Sequence, residues 1–125
     1  MTDDGGPTDA LVDDLRARVG DALRVVGVAR NEDELELAYA RDDVLDHYGR
    51  ETIEELALDL LAERHLEVGA LESYGVVPPS ISGRLYDDFL LVVRWSDGEP
   101  VAVTTDRDPT WFAEVVAALE ANGAG

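Results

Sequence analysis

The chain has no cysteine and no lysine, and only two histidines and one methionine among its 125 residues. Without cysteine there is no disulfide framework and no thiolate metal site, and redox chemistry gives no clue to compartment. The two histidines, His47 and His65, do not form a metalloprotease pair, and no serine sits in a nucleophile-elbow context. Neither a GxGxxG loop nor a P-loop occurs, and Ser80-Ile81-Ser82-Gly83 is too short to act as one. No apolar run reaches transmembrane length, and the acidic N-terminus is unlike a signal peptide, so the expected compartment is the cytoplasm, with no membrane partner. The absence of a basic patch or helix-turn-helix pattern argues against nucleic acid as a partner. No cofactor is expected.

What fills the space is acid. Twenty-eight Asp and Glu stand against ten basic residues, all arginine, for a formal net charge of −18. The acids interleave with apolar residues along the whole chain, so they are not an interaction tail. They read as a salt-adapted surface. In molar salt the screening length falls to about 3 Å, and the self-repulsion of such a surface costs little. Carboxylates hold water and cations, lysine stems would expose methylenes, and arginine can still pair with acids through its fork. The composition resembles that of salt-in haloarchaeal cytoplasmic proteins, which implies a fold that weakens at low salt.

The chain is the size of one domain, and 46% hydrophobic residues suffice for a core. Residues 1–8 are expected to be a disordered lead-in, 9–121 one α+β domain, and 122–125 a frayed end. Asp9 is the expected cap of a first helix with Leu11, Leu15 and Val19 on one stripe, closed by Gly20. LRVVGVA (23–29) and ELELAYA (34–40) form a hairpin across RNED, with Leu35, Leu37 and Tyr39 on one buried face and a bulge at Gly27. RDDVLDHYG (41–49) is a short helical turn with Val44 and Tyr48 inward. Thr52 and Glu55 have capping-box spacing for a helix reaching about residue 71, with Ile53, Leu56, Leu60, Leu61, Val68 and Leu71 on its apolar side. Gly75 and Pro78-Pro79 end that region.

Three strands follow. ISGRLY (81–86) has Ile81 and Leu85 inward. FLLVVRW (89–95) is almost continuously apolar, as a strand covered on both faces would be. Ser96-Asp97-Gly98 makes a turn into residues 99–105. Asp108-Pro109 reads as an N-cap with proline at N1, opening a last helix with Phe112, Val115, Val116 and Leu119 inward. The expected fold is a five-stranded, mostly antiparallel sheet in the order α-β-β-(α)-α-β-β-β-α.

That order is similar to the roadblock/LC7 fold of the profilin- and longin-like group. ARDDVLDHY, LESYG and GRLYDDFLLVVRW resemble a family of small uncharacterised haloarchaeal proteins. The roadblock resemblance implies a non-enzymatic module that dimerises, extends its sheet or packs helices, and binds small GTPases or acts as a scaffold. No roadblock interface residue maps onto a position here.

Four groups of residues carry candidate chemistry. Asp42, Asp43, Asp46 and His47 are the densest polar cluster. Asp43 and His47 are i, i+4 neighbours able to share a divalent cation, although acid-rich turns are ordinary in such a chain. His65 can act as a general base only if buried beside a carboxylate, and a structural or surface role suits it better. Arg84, Arg94 and Arg107 either form an anion patch or, as preferred, pair with nearby acids such as Asp87 and Asp88. Trp95 and Trp111 are interface anchors or pack between the sheet and the last helix. The expected function is a non-catalytic interaction or scaffold module, homodimeric, with a further protein partner such as a small GTPase. The alternatives are a small metal-dependent or hydrolytic enzyme using the Asp/His cluster and, third, a transcription-linked regulator.

Overall fold

The computed structural model describes residues 7–31, 33–95 and 99–122. Residues 1–6 of the expected lead-in, Glu32 of the RNED turn, the Ser96-Asp97-Gly98 turn and residues 123–125 lie outside them. The elements run α1 (Pro7–Val19), a 3-10 turn, β1 (Leu23–Asn31), β2 (Glu34–Ala40), α2 (Asp42–Tyr48), α3 (Arg50–Ser73), β3 (Ile81–Leu85), β4 (Phe89–Arg94), β5 (Val101–Asp106) and α4 (Trp111–Ala121). The five strands form one sheet in the order β2-β1-β5-β4-β3, with every neighbouring pair antiparallel. The expected α+β architecture is therefore the observed one.

Alternation along the interior strands builds two cores. Val26, Val28, Leu90, Val92, Val101 and Val103 face α1 and α4, and bury Leu11, Leu15, Val115 and Leu119 with them. Ala29, Leu91, Val93 and Ala102 face the other way, against Ala57 and Leu61 of α3. Val25 and Leu37 meet Val44 of α2 and Ile53 of α3 on that same side. The continuous apolar run of β4 is thus explained, because consecutive residues enter different cores. Each fully buried Leu or Val adds about 1.5–3 kcal/mol by leaving water.

Several local expectations are corrected. Helix α1 already includes Pro7 and Thr8, so Asp9 lies in its first turn instead of capping it. The pairing of β1 with β2 shifts register at Val26/Gly27, which is the expected bulge. It turns Tyr39 away from Leu35 and Leu37 and onto the α1 side, where the Arg16 guanidinium lies 5.4 Å from its ring centre. One extra residue in a ladder reverses every later side chain, so strict alternation misplaced Tyr39.

Thr52 is not a cap, because α3 begins at Arg50 with Gly49 before it and no side-chain cap. Gly49 has φ 83° and ψ 149°, a region essentially confined to glycine. That conformation lets α3 restart one residue after α2 ends. The Gly49 N–H donates to Leu45 O and its carbonyl accepts from Ile53, so one residue serves both helix ends. The buried side of α3 is Ile53, Ala57, Leu61, Arg64 and Val68, a 4-4-3-4 spacing. Leu56 lies about 100° round the helix from Ala57 and is 45% exposed. Leu60 and Leu71 are half-buried. Tyr48 and Leu85, both expected inward, are exposed.

Helix α4 starts at Trp111, later than Asp108-Pro109 suggested. Asp108 still organises its entry. Its Oδ1 accepts from the Thr110 backbone N–H (3.0 Å) and hydroxyl (2.8 Å), forming an Asx turn ahead of the first helical residue. Phe112, expected inside, is exposed on its outer side and lies over Gly83 of β3.

Candidate functional site

The Asp/His cluster lies at α2, and arginine organises it. Arg41, just before the helix, donates from Nε to Asp43 Oδ1 (2.6 Å) and from Nη2 to Asp43 Oδ2 (3.1 Å). Its Nη1 reaches the Asp21 carbonyl (2.6 Å) and Asp106 Oδ2 (3.1 Å). The Arg41 hydrogen bond holds the Asp43 carboxyl below the ordinary aspartate range, and Asp43 and Asp106 raise the Arg41 pKa in return. Asp43 is therefore bound to Arg41, while the ring of His47 stands edge-on to Tyr48 at 4.5 Å. Among the described residues, no group of three or more His, Asp or Glu side chains is arranged to hold a metal ion.

His65 is on the solvent side of α3, with its ring centre 5.4 Å from that of Trp95. Trp95 is half-buried just after β4, and its backbone N–H donates to Ser80 O (2.7 Å). Trp111 is half-buried against the α1/α4 core. Each tryptophan thus shares its surface between protein and solvent.

Arg84, Arg94 and Arg107 do not form one patch. Arg94 crosses to the end of α4 and donates to Leu119 O (3.0 Å), and burial lowers its pKa. A cation there meets the negative end of the helix. Arg107 Nε donates to Tyr86 O (2.9 Å). Arg84 pairs with Glu63 and Glu67 of α3 at 3.8 and 3.5 Å. Among the described ion pairs none uses Asp87 or Asp88, because the hairpin brings β3 alongside α3 instead.

Sequence reasoning passed over Arg64 in favour of its neighbour His65. Arg64 is 7% exposed and is the charged member of the buried α3 stripe. Its Nη1 donates to Glu67 Oε1 (2.7 Å) and its Nη2 to Pro79 O (2.7 Å), which ties the loop after α3 back to the helix. Its buried Nε has no hydrogen-bond partner. The available signal was its spacing from Leu61 and Val68, which puts a guanidinium in a row of apolar residues. Beside it, a cleft of about 280 Å³ opens between α3 and the β3–β4 hairpin, with Glu63, Glu67, Arg84 and Tyr86 among its walls. Tyr86, followed by the glutamates, raises the Arg84 pKa.

The second feature is uncovered apolar surface. Leu66 is 74% exposed, Tyr74 85% and Val77 89%, all on the last turns of α3 or the loop after it. Val76 is also exposed, and its N–H folds back to Leu71 O (3.0 Å). Nearby, β3 is an open sheet edge whose Gly83, Arg84 and Leu85 are exposed and which carries no acid. The opposite edge, β2, presents Glu34 and Glu36, the latter paired with Arg30. Charge on an edge discourages strand addition, and β3 carries one exposed charge, Arg84, against the two glutamates of β2.

No helix among the described residues is long and apolar enough to cross a membrane. The family model for a domain of unknown function, DUF7522, matches residues 9–122. No curated protein and no solved structure matches the chain.

Proposed function

We propose that the chain, which belongs to the DUF7522 family, is a non-catalytic protein-interaction or scaffold module of a salt-adapted cytoplasm and forms a homodimer. The observation that carries this reading is the exposure of Leu66, Tyr74, Val76 and Val77 on a molecule of net charge −18. A strongly charged surface keeps molecules apart, and uncovered aliphatic and aromatic side chains on it favour contact with another apolar surface. The acid-free β3 edge lies on the same half of the chain and offers main-chain hydrogen bonds to a partner. A small GTPase is the partner class implied by the roadblock/LC7 resemblance, and the observed element order supports that resemblance.

Two copies of so acidic a protein repel one another, and molar salt removes most of that repulsion. Association is therefore expected to tighten as salt rises. Sedimentation velocity in molar KCl tests this with wild type, Leu66→Asp and Val77→Asp. A wild-type dimer that both variants dissociate is the expected result. A wild type that stays monomeric across the concentration range overturns the homodimer.

A further inference from the structure

Amide side chains are scarce in this chain. It has no glutamine and two asparagines, against 28 acids. Each asparagine donates to a carboxylate, Asn31 Nδ2 to Glu34 Oε1 at 3.0 Å and Asn122 Nδ2 to Asp14 Oδ2 at 2.9 Å. An ionised acid in either place offers no donor, so the neutral amide is what each position uses. The residue after Asn122 is Gly123. We propose that Asn122 is a covalent modification site. Deamidation there turns the latch between α4 and α1 into a repulsion, and the latch itself sets how fast this happens.

The latch closes over a long stretch of chain, from the last turn of α4 to the middle of α1. Asn122 follows α4 directly, and its backbone N–H donates to Ala118 O at 3.0 Å. Its Nδ2 reaches the same carbonyl at 2.9 Å. The side-chain amide is thus held by one acceptor from its own helix and one from α1. The other Asp14 oxygen, Oδ1, accepts from Arg18 Nε at 2.9 Å, and Arg18 Nη1 lies 3.6 Å from Glu114. Arg18 is already shared between two acids. A carboxylate at position 122 therefore loses the donor, faces Asp14 and stands at the negative end of α4. Salt screens the repulsion but does not restore the donor.

The reaction consumes only water. The backbone nitrogen of Gly123 gives its proton to hydroxide and attacks Asn122 Cγ. The new C–N bond closes a cyclic imide, and the side-chain nitrogen takes a proton and leaves as ammonia. Water then opens the imide at either carbonyl, which yields aspartate or isoaspartate. Glycine has no Cβ to crowd the attacking nitrogen, whereas Asn31 is followed by Glu32. Ring closure requires the Asn122 side chain to turn towards the nitrogen of the next residue, and so to leave Asp14 and Ala118. Breaking the bond to a charged acceptor raises the barrier. The proposal involves α1 and α4 alone and does not rest on the proposed interface.

The test is timed incubation of the full chain in molar KCl at mildly alkaline pH, followed by peptide mass mapping and isoaspartate detection. Wild type, Asp14→Ala and Gly123→Ala are compared, with folding checked by circular dichroism at the incubation temperature. Modification is expected at Asn122 before Asn31, and Gly123→Ala should slow it. Asp14→Ala should speed it about tenfold, a barrier change of about 1.4 kcal/mol. A second measurement needs no incubation and decides alone if Asp14→Ala fails to fold. Asn122→Asp should lower the melting midpoint. Adding Asp14→Asn to it exchanges donor and acceptor, and should recover part of the loss. Equal rates in wild type and folded Asp14→Ala overturn the proposal. So does an Asn122 that stays intact in both, Asn31 reacting first, Asn122→Asp melting like wild type, or an exchange that recovers nothing.

Discussion

Arg41 grips Asp43 with two nitrogens, Nε to Oδ1 at 2.6 Å and Nη2 to Oδ2 at 3.1 Å. The same guanidinium bonds the Asp21 carbonyl and Asp106. It therefore joins the turn before β1, the start of α2 and the end of β5. A lysine has neither the fork nor the donors to replace it. Arg41→Ala is expected to cost about 1–2 kcal/mol, chiefly from the Asp21 and Asp106 contacts, after discounting for partial exposure and salt. Arg41→Lys should recover only part of that loss. Urea denaturation at fixed KCl measures both, and an unchanged midpoint for Arg41→Ala refutes the role.

The acid limb of stability follows from two aspartates. Arg41 lowers the Asp43 pKa, and the Thr110 backbone N–H and then its hydroxyl lower that of Asp108, both from an ordinary 3.8. A folded-state pKa below the unfolded one means the native state resists protonation. The resulting stability is complete above the unfolded value and drains as pH falls through the folded one, so the window lies below about pH 4. Asp43→Asn and Asp108→Asn should each flatten the pH dependence of the melting midpoint there. Curves parallel to wild type below pH 4 would contradict this assignment.

Gly83 and Phe112 are coupled by contact. A Cβ added to Gly83 would lie 2.6 Å from Phe112 Cε1 and 2.7 Å from Cδ1. Gly83→Ala must push the ring outward, at an expected cost of about 1–2 kcal/mol. With Phe112→Ala already present the same change should be nearly free. The double-mutant cycle should therefore show coupling of at least about 0.5 kcal/mol, and strict additivity would disprove the contact.

Thr104 has a buried hydroxyl without a hydrogen-bond partner. It lies beside an apolar groove lined by Val25, Val44, Ile53 and Leu91. Thr104→Val keeps the shape and removes the unmatched group, so it should stabilise by about 1 kcal/mol. A lower denaturation midpoint would show that the hydroxyl has a partner in solution.

A net charge of −18 predicts strong salt dependence. Between about 0.1 M and 1 M salt the screening length falls from about 10 to 3 Å. The melting midpoint in KCl should rise steeply over that interval. A flat response would show that the acids are already neutralised by local pairing.

The strands and helices were legible because their patterns come from backbone geometry, two residues per strand repeat and 3.6 per helical turn. Leu35 and Leu37 alternate into the core, and Val115 and Leu119 recur at i, i+4, as their spacing required. The failures are equally local in cause. Tyr39 changed sides at a bulge, Thr52 lost its capping role to a glycine conformation, and Phe112 moved outward to cover Gly83 on a strand distant in sequence. The candidate cleft was less legible, because its members come from α3 and from the β3–β4 hairpin. Arg84 seemed to belong with Asp87 and Asp88 along the chain, yet in space it faces Glu63 and Glu67.

By itself the sequence determined the element types, the α+β class, the acidic surface and the exclusion of thiol chemistry, since these depend on residue type and short-range period. Only the tertiary structure decided that α1 and α4 cover one face while α2 and α3 cover the other. It also decided that Arg64 and not His65 is buried, and that apolar residues at the end of α3 stay uncovered. The physical reason is that a side chain's neighbours are set by strand order and helix placement, which minimise the free energy of the whole chain, whereas its local conformation answers mainly to the residues beside it.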